Sequence, residues 1–549
     1  MFKVELKING DHIQTVEFAE PVMTKDIVTN DVIKEKKIIA YKLDGNYINS
    51  DTIMSEDCRL DCVSLFATEG YAIYQDTAIM VLCKAFFNVI SKEKKLVIEH
   101  SIGDGVFCEV MGYTFTQEDV EKLVREMQNI IDRAIPIEKI HLNPEEADKL
   151  AQERHRDDFI KIMKYQNIDM YKCGDYYDYY LRQLAENTSQ VIAFKIHYHS
   201  PGIILRVARK GDLEIKRKFV LPRKLFATHQ EHDKWLNILN LHTTSALNRA
   251  VKEYHVKDLI QIEEALHEKK VIGIADHISW QNAIKLILIA GPSSSGKTTF
   301  AKRLSVQLRV NNVTPLVLSM DNYFLPRSQT PRKANGEFDF ESIHALDLEL
   351  LNHDLSELLQ GKEINLPKYN FLAGKREISH QQIRLAENNV IILEGIHGLN
   401  DSISSSIPFN QKVRIYVSAL NNLNIDAHNR IATTDSRKIR RLVRDNKYRG
   451  HTAEQTLGMW DSIREGEDRN IFPYQENADF MFNSILTYEL AVLKKYVKPL
   501  LQSITQDSRQ YNEAKRLLKI FDHIYNVDDN YVPSNSILRE FIGGSIFDY

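Results

Sequence analysis

Only five of the 549 residues are cysteine (Cys58, Cys62, Cys83, Cys108 and Cys173), an odd and scattered set that excludes a disulfide scaffold. No second Cys or His pair follows Cys58 and Cys62 at zinc spacing, so a structural zinc site is not expected there. Few cysteines fit a reducing compartment, and the expected location is cytoplasmic. No apolar run approaches the roughly 20 residues a bilayer span needs, which argues against a membrane partner. The opening Met1-Phe-Lys-Val-Glu-Leu-Lys-Ile alternates charge and apolar residues where a signal peptide needs an apolar core. A large excess of either charge is lacking too. With 71 Lys and Arg against 75 Asp and Glu, the net charge is -4, which excludes a global basic field for nucleic acid but allows local patches. The remaining composition, 43% hydrophobic and 27% charged, is that of globular domains, about three or four of them at this length.

What is present is concentrated in one stretch. Leu286-Ile-Leu-Ile-Ala290 reads as a buried strand, and Phe300 to Leu308 as a helix by its apolar spacing. Between them lies Gly291-Pro-Ser-Ser-Ser-Gly-Lys-Thr-Thr299, in the strand–loop–helix context that a phosphate-binding loop requires. The two glycines let the backbone curl so that N–H groups point inward at phosphate oxygens, and the helix N-terminus adds positive charge there. Gly291, Ser293, Ser294, Ser295, Gly296, Lys297, Thr298 and Thr299 are thus the expected nucleotide contacts. Lys297 is expected to reach the β- and γ-phosphates, and the Thr298 hydroxyl to bind Mg²⁺.

Pro315-Leu-Val-Leu-Ser-Met-Asp321 reads as a second strand ending in a carboxylate. Residues just past the strand ends line the ligand crevice of an α/β sheet, which puts Asp321 where it can accept a proton from an acceptor hydroxyl. Asn389-Val-Ile-Ile-Leu-Glu394 is a third strand ending in an acid, with Glu394 set to hold Mg²⁺ directly or through water. Phe338-Asp339-Phe340 lies in a polar loop suited to a substrate lip. Tyr369, Phe371, Lys375 and Arg376 combine aromatic faces and cations, a cradle for a planar base. Val413 to Val417 is a fourth strand. The basic run Arg437 to Arg449, closed by Gly450, predicts a helix and turn able to neutralise charge building on a triphosphate.

The front half carries no such constellation. Residues 1–65 show short alternating strands punctuated by Asn9-Gly10 and Asp44-Gly45, with one helix predicted over Lys25 to Lys34, a β-grasp-like order. From 66 to 235 the pattern is α+β. It predicts a helix over Thr77 to Ile90, a hairpin around Gly103-Asp-Gly105, a helix opened by Thr116-Gln-Glu-Asp119, and paired strands around Ser200-Pro-Gly202. Residues 236–280 read as a helical connector, with Ser245 capping one helix and Val256 opening another.

Ser101-Ile-Gly-Asp-Gly-Val-Phe, Thr116-Gln-Glu-Asp-Val-Glu-Lys-Leu and Cys173-Gly-Asp-Tyr give this half a resemblance to the two N-terminal domains of threonyl-tRNA synthetases, a β-grasp (TGS-like) module and an editing-type domain. The editing family's His-x-x-x-His and Cys-x-x-x-His pairs are missing from Ala78–Ala85 and from the segment after Gly174-Asp175, so no deacylating activity is expected. His197 and His199 alternate on a strand and read as surface or structural residues.

The C-terminal half resembles the uridine kinase/phosphoribulokinase family. The resemblance rests on the phosphate loop, Ser319-Met-Asp-Asn-Tyr-Phe, Phe338-Asp-Phe, Leu366-Pro-Lys-Tyr-Asn-Phe, Ile392-Leu-Glu-Gly-Ile-His, Ile439-Arg-Arg-Leu-Val-Arg-Asp and the tail Ser536 to Ser545. It implies a multi-domain α/β and α+β chain: 1–65 β-grasp, 66–235 editing-like, 236–280 connector, 281–505 P-loop kinase with a mostly parallel sheet, and 506–549 a helical tail. It also implies transfer of the γ-phosphoryl of ATP (or GTP), with Mg²⁺, to a nucleoside 5′-hydroxyl. Asp321 then falls on the general base, Asp339 on the ribose ligand, Tyr369 in the base pocket, Glu394 on the magnesium acid, and Arg444 and Arg449 on the lid.

Two positions depart from the family. Gly374 stands where a pyrimidine-reading histidine is expected, and Arg449-Gly450-His451 replaces Arg-Gly-Arg. The first leaves open a kinase for another small hydroxyl compound, such as a sugar phosphate. The synthetase-like front leaves open a nucleotide-sensing, RNA-binding regulatory protein, for which salt-dependent RNA retention is the sign. The nucleoside, the RNA partner and homo-oligomer formation stay undecided at this level.

Overall fold

Leu286–Ala290 is apolar at every position, which suits a strand covered on both faces. In the computed structural model it is the central strand of a five-stranded sheet in the order 314–319, 389–394, 286–290, 412–418, 480–483, with every neighbouring pair parallel. The structure describes residues 1–28, 30–153, 168–253, 255–333, 336–370, 373–377, 382–386 and 388–548. Side chains alternate across the sheet. Ile287 and Ile289 enter a core with Phe300, Leu304, Ile439 and Leu493, while Leu286 and Leu288 enter a second core with Leu351, Leu355 and Leu358. The sheet is wholly parallel, so all its strands end on one edge, where ligand crevices form.

The first 64 residues form a sheet in the order 11–18, 2–8, 58–64, 38–43, 46–48, in which 2–8 and 58–64 run parallel. Asn9 and Gly10 both take positive φ in the hairpin turn between its first two strands. The single helix expected over 25–34 is instead two short ones, Thr24–Ile27 and Asn30–Lys36. Val28 leaves the helical basin, at φ -97° and ψ 89°, and is buried in the sheet's core.

The α+β unit sets helices Thr68–Val89 and Gln117–Asp132 against an antiparallel sheet in the order 194–199, 202–207, 105–109, 97–102. Thr116 and Asp119 form the expected capping box. The preceding helix starts nine residues before the predicted Thr77. That hydroxyl lies mid-helix, donating back to the Ile73 carbonyl at 2.7 Å, a bond compatible with helix continuation. Ser245 is not the cap expected: Thr243 accepts from the Ala246 amide, and Ser245 lies in the first turn. His197 stacks on Phe219 and His199 meets Phe226 edge-on, so both are packed. Among the described residues, no helix is long and apolar enough to cross a membrane.

The helix Val256–Ser279 docks on the turn after the last sheet strand, where the Thr487 amide donates to Glu263 at 2.6 Å. Burial pushes the Glu263 carboxyl from its ordinary 4.5 up to about 8, against the pull of that hydrogen bond. The folded chain therefore keeps a proton that the unfolded chain has released between those values. This contribution to stability is complete below about pH 4.5 and is lost as pH rises through 8, at up to about 1.4 kcal/mol per pH unit. Thermal unfolding from pH 5 to 9 is expected to fall less steeply in Glu263→Gln than in the parent chain. Parallel curves would count against this account.

The segment after residue 505 is not an appendage. Ala514, Leu517, Phe521, Ile537, Leu538 and Phe541 belong to the same core as the sheet. It also bridges to the N-terminal sheet, with Arg509 donating to the Gly10 carbonyl at 2.6 Å and Asn512, in the helix Tyr511–Asp522, to the Gly45 carbonyl at 3.0 Å.

Candidate active site

The phosphate loop is built as its sequence requires. Ser294 and Gly296 both take positive φ, 59° and 85°, which curls the backbone before the helix Lys297–Val310. Gly291 has no room for a side chain, because a Cβ there would fall 2.0 Å from the Val417 carbonyl oxygen. Three successive carbonyls are held from outside. Arg437 Nε donates to Ser293 O at 2.9 Å, Arg440 Nη1 to Ser294 O at 3.4 Å, and Ser484 Oγ to Ser295 O at 2.5 Å. Fixing these carbonyls locks the loop in its curled form.

The two arginines are themselves buried and paired. Arg437 binds Glu467, which also accepts from the Ser293 amide, and Arg440 binds Glu489 through two bonds at 2.9 and 2.5 Å. Their place on the basic helix Thr433–Arg449 suggested contact with a triphosphate, but they brace the loop instead. Arg444 and Arg449 lie farther along. Both reach the fully buried Asp445, at 3.4 and 3.3 Å, which also meets Arg441 Nε at 3.0 Å. Gly450 ends the helix at φ 66°.

At the sheet edge the register aligns the reactive groups. Glu394 pairs with Ile289 on one side and Ser319 on the other, so three strands deliver Gly291, Asp321 and Glu394 to one crevice. Thr298 Oγ1 lies 3.4 and 3.5 Å from the two Glu394 carboxylate oxygens. Adjacent ligands of an octahedral Mg²⁺ at about 2.1 Å sit about 3 Å apart, so this hydroxyl–carboxylate pair fits such an ion with little movement. Lys297 Nζ donates to the Pro292 carbonyl at 3.2 Å.

The charges here are mutually coupled. Burial lowers the Lys297 pKa, and Glu394, Glu540 and Asp321 pull it back up. Burial pushes Glu394 up to about 7, with Lys297 opposing. Water reaches Asp321 from the crevice, yet the surrounding protein raises its pKa, against Lys297 and Arg449. Glu341 lies in the same field and is pushed up to about 7 by burial and by Glu467.

The part of the crevice where the sequence reading placed the acceptor is aromatic and basic. Phe324 meets Phe340 and Tyr369 at ring separations of 6.2 and 5.7 Å. The Tyr369 amide lies 3.5 Å from the Asn322 side-chain oxygen, one residue from Asp321. Asp339 is buried beside Arg469 at 3.4 Å, and its Oδ1 has no hydrogen-bond partner among the described residues. Arg376 is engaged elsewhere, donating at 2.8 Å to Asp347, the cap of helix Leu348–Leu359. Phe371 lies outside the described residues. Gly374 has a structural reason: its φ is 64°, and a Cβ there would fall 2.9 Å from Arg327 Nε.

Residues 286–491, which hold this crevice, match the phosphoribulokinase / uridine kinase family. A uridine kinase of Staphylococcus epidermidis is 31% identical over 201 residues, 36% of this chain and 87% of that protein. The chain belongs to the phosphoribulokinase / uridine kinase family. Uridine kinases of Brevibacillus brevis and Ureaplasma parvum are 34% and 29% identical over 178 and 196 residues, or 74% and 85% of their lengths. These matches span about a third of the chain, within its C-terminal half. Membership supports a kinase that uses a nucleotide phosphoryl donor.

Sequence reasoning missed Glu467, Glu489, Ser484, Glu540 and Arg327. All but Glu540, which stands in the tail motif Ser536 to Ser545, lie outside the motifs, and each acts across a long sequence separation. Only the two extra acids facing a basic helix could have hinted at the bracing pairs.

Proposed function

We propose that the chain transfers the γ-phosphoryl group of ATP or GTP to the 5′-hydroxyl of a nucleoside of the uridine or cytidine kind. The observation that carries this reading is the convergence of Asp321, Lys297, Thr298 and Glu394 at the ends of three parallel strands. Such transfer depends on positioning and charge neutralisation more than on covalent chemistry. The attacking hydroxyl oxygen bonds to Pγ as the bond from Pγ to the bridging oxygen breaks, and the hydroxyl proton passes to Asp321. Lys297, Arg444 and Arg449 face charge on the β- and γ-oxygens and the leaving diphosphate. Thr298 and Glu394 would hold Mg²⁺, whose charge supports that same neutralisation. The nucleotide contacts on this reading are Gly291, Ser293 to Gly296 and Lys297 to Thr299. Asp339 takes a ribose hydroxyl, and Tyr369 flanks the base.

Arg327 beside Gly374, together with Arg469 on Asp339, favours a second reading in which the acceptor carries an acidic group, such as a sugar phosphate. A screen of common nucleosides and phosphorylated sugars with MgATP or MgGTP decides between them, read as nucleoside diphosphate release. Release dependent on a pyrimidine nucleoside, and lost in Lys297→Ala, is the expected result. Release with sugar phosphates alone would transfer the assignment to the second reading, and none with any acceptor would sink both.

A further inference from the structure

The short helix Arg539–Ile542 sits directly on the phosphate loop. Glu540 Oε2 accepts from the Thr299 amide at 3.3 Å and from Thr299 Oγ1 at 2.7 Å. That amide belongs to the first turn of Lys297–Val310, whose N–H groups have no partner within their own helix and point toward the phosphate position. The same carboxylate lies in the field of Lys297, Glu394 and Arg449, which puts it among the site's charges rather than behind them. Ile537 packs on Gly296, its Cγ2 lying 2.7 Å from where a Cβ would stand. Phe541 lies under the Arg440 guanidinium at 5.1 Å, and Lys447 donates to the Ile542 carbonyl. Arg539 ties the segment to itself through the Val532 and Gly543 carbonyls, at 2.5 and 3.2 Å.

We propose that residues 536–545 are an intramolecular competitor for the phosphate loop, in which the Glu540 carboxylate occupies donors that a nucleotide phosphate uses. Two anions cannot share the Thr299 donor pair, so a phosphate seated there displaces Glu540 and loosens the segment behind it. The tail thereby lowers affinity for the phosphorylated donor and not for an uncharged nucleoside. This inference rests on reading 291–299 as a nucleotide site.

The test uses the full chain and Glu540→Gln, which keeps the side chain's size and its acceptor oxygen but removes the charge. Calorimetric titration with MgATP and MgGTP is expected to give about ten-fold tighter binding by the variant, within the range of ordinary coupling between sites. In the parent chain, amide hydrogen exchange over 536–545 is expected to accelerate on saturation with the triphosphate and to stay unchanged with adenosine. This second reading needs no variant to fold. Equal or weaker binding by Glu540→Gln, or a tail whose protection is undiminished by saturating triphosphate, overturns the competitor. Absence of triphosphate binding by both chains overturns the nucleotide reading, and the inference with it.

Discussion

Replacing Asp321 by asparagine is expected to lower kcat for phosphoryl transfer about 10³-fold, the usual scale of a lost general base. The donor KM should change little. Asparagine has the same size and can still accept a weak hydrogen bond, but it cannot take the acceptor's proton. Asp321 is also a lesser electrostatic partner of Lys297, behind Glu394 and Glu540, so its loss leaves the phosphate end largely intact. The check is steady-state kinetics on whichever acceptor the screen identifies, with donor binding measured separately. A variant that keeps more than about a tenth of the parent kcat removes Asp321 from the base role, since such catalysis is worth at least about 10²-fold.

Glu489→Ala is expected to have the largest effect on stability. Its partner Arg440 is fully buried and also donates to Ser294 O, Ser484 Oγ and Ser484 O, while Glu489 accepts the Leu486 amide. Removing the acid leaves a guanidinium in the core with no counter-charge, a change that costs about 3–5 kcal/mol in comparable pairs. Because Arg440 braces the phosphate loop, nucleotide affinity should fall with stability. Replacing both partners, as Arg440→Met with Glu489→Leu, should recover most of the stability and little of the binding. Denaturant unfolding of the three variants, followed by nucleotide titration, separates the two effects. A loss below about 1 kcal/mol in Glu489→Ala, the scale of an exposed pair, would show that water already reaches this one.

The parts of the chain readable in advance were those whose cause is local. The strand–loop–helix around Gly291 and Gly296 is specified within 23 residues by an apolar run, two conformationally free positions and a helical period. Thr116 and Asp119 cap a helix three residues apart, and they did so as expected. The helix start was placed too late because the unbroken apolar run begins only after Thr77, whose hydroxyl bonds to the carbonyl one turn back inside the continuing helix. The acids that brace the loop were invisible for a different reason. Glu467 and Glu489 acquire their role only when a helix 30 to 50 residues earlier folds against them. Gly374 was legible as a departure from the family but not as a position of left-handed backbone, at φ 64°.

The bracing of the phosphate loop also sets an order of events during synthesis. Its carbonyls are held by residues 144, 146 and 189 positions downstream. Long-range closures of this kind form late, because the intervening chain must be made and placed first. A ribosome that has just released the strand Leu286–Ala290 therefore displays a glycine loop with nothing behind it. Chains that stop short of Ser484 should emerge with the motif intact and its nucleotide affinity absent. The capacity to bind a triphosphate arrives only once Ser484 has been made and placed, with the segments that hold the loop in shape.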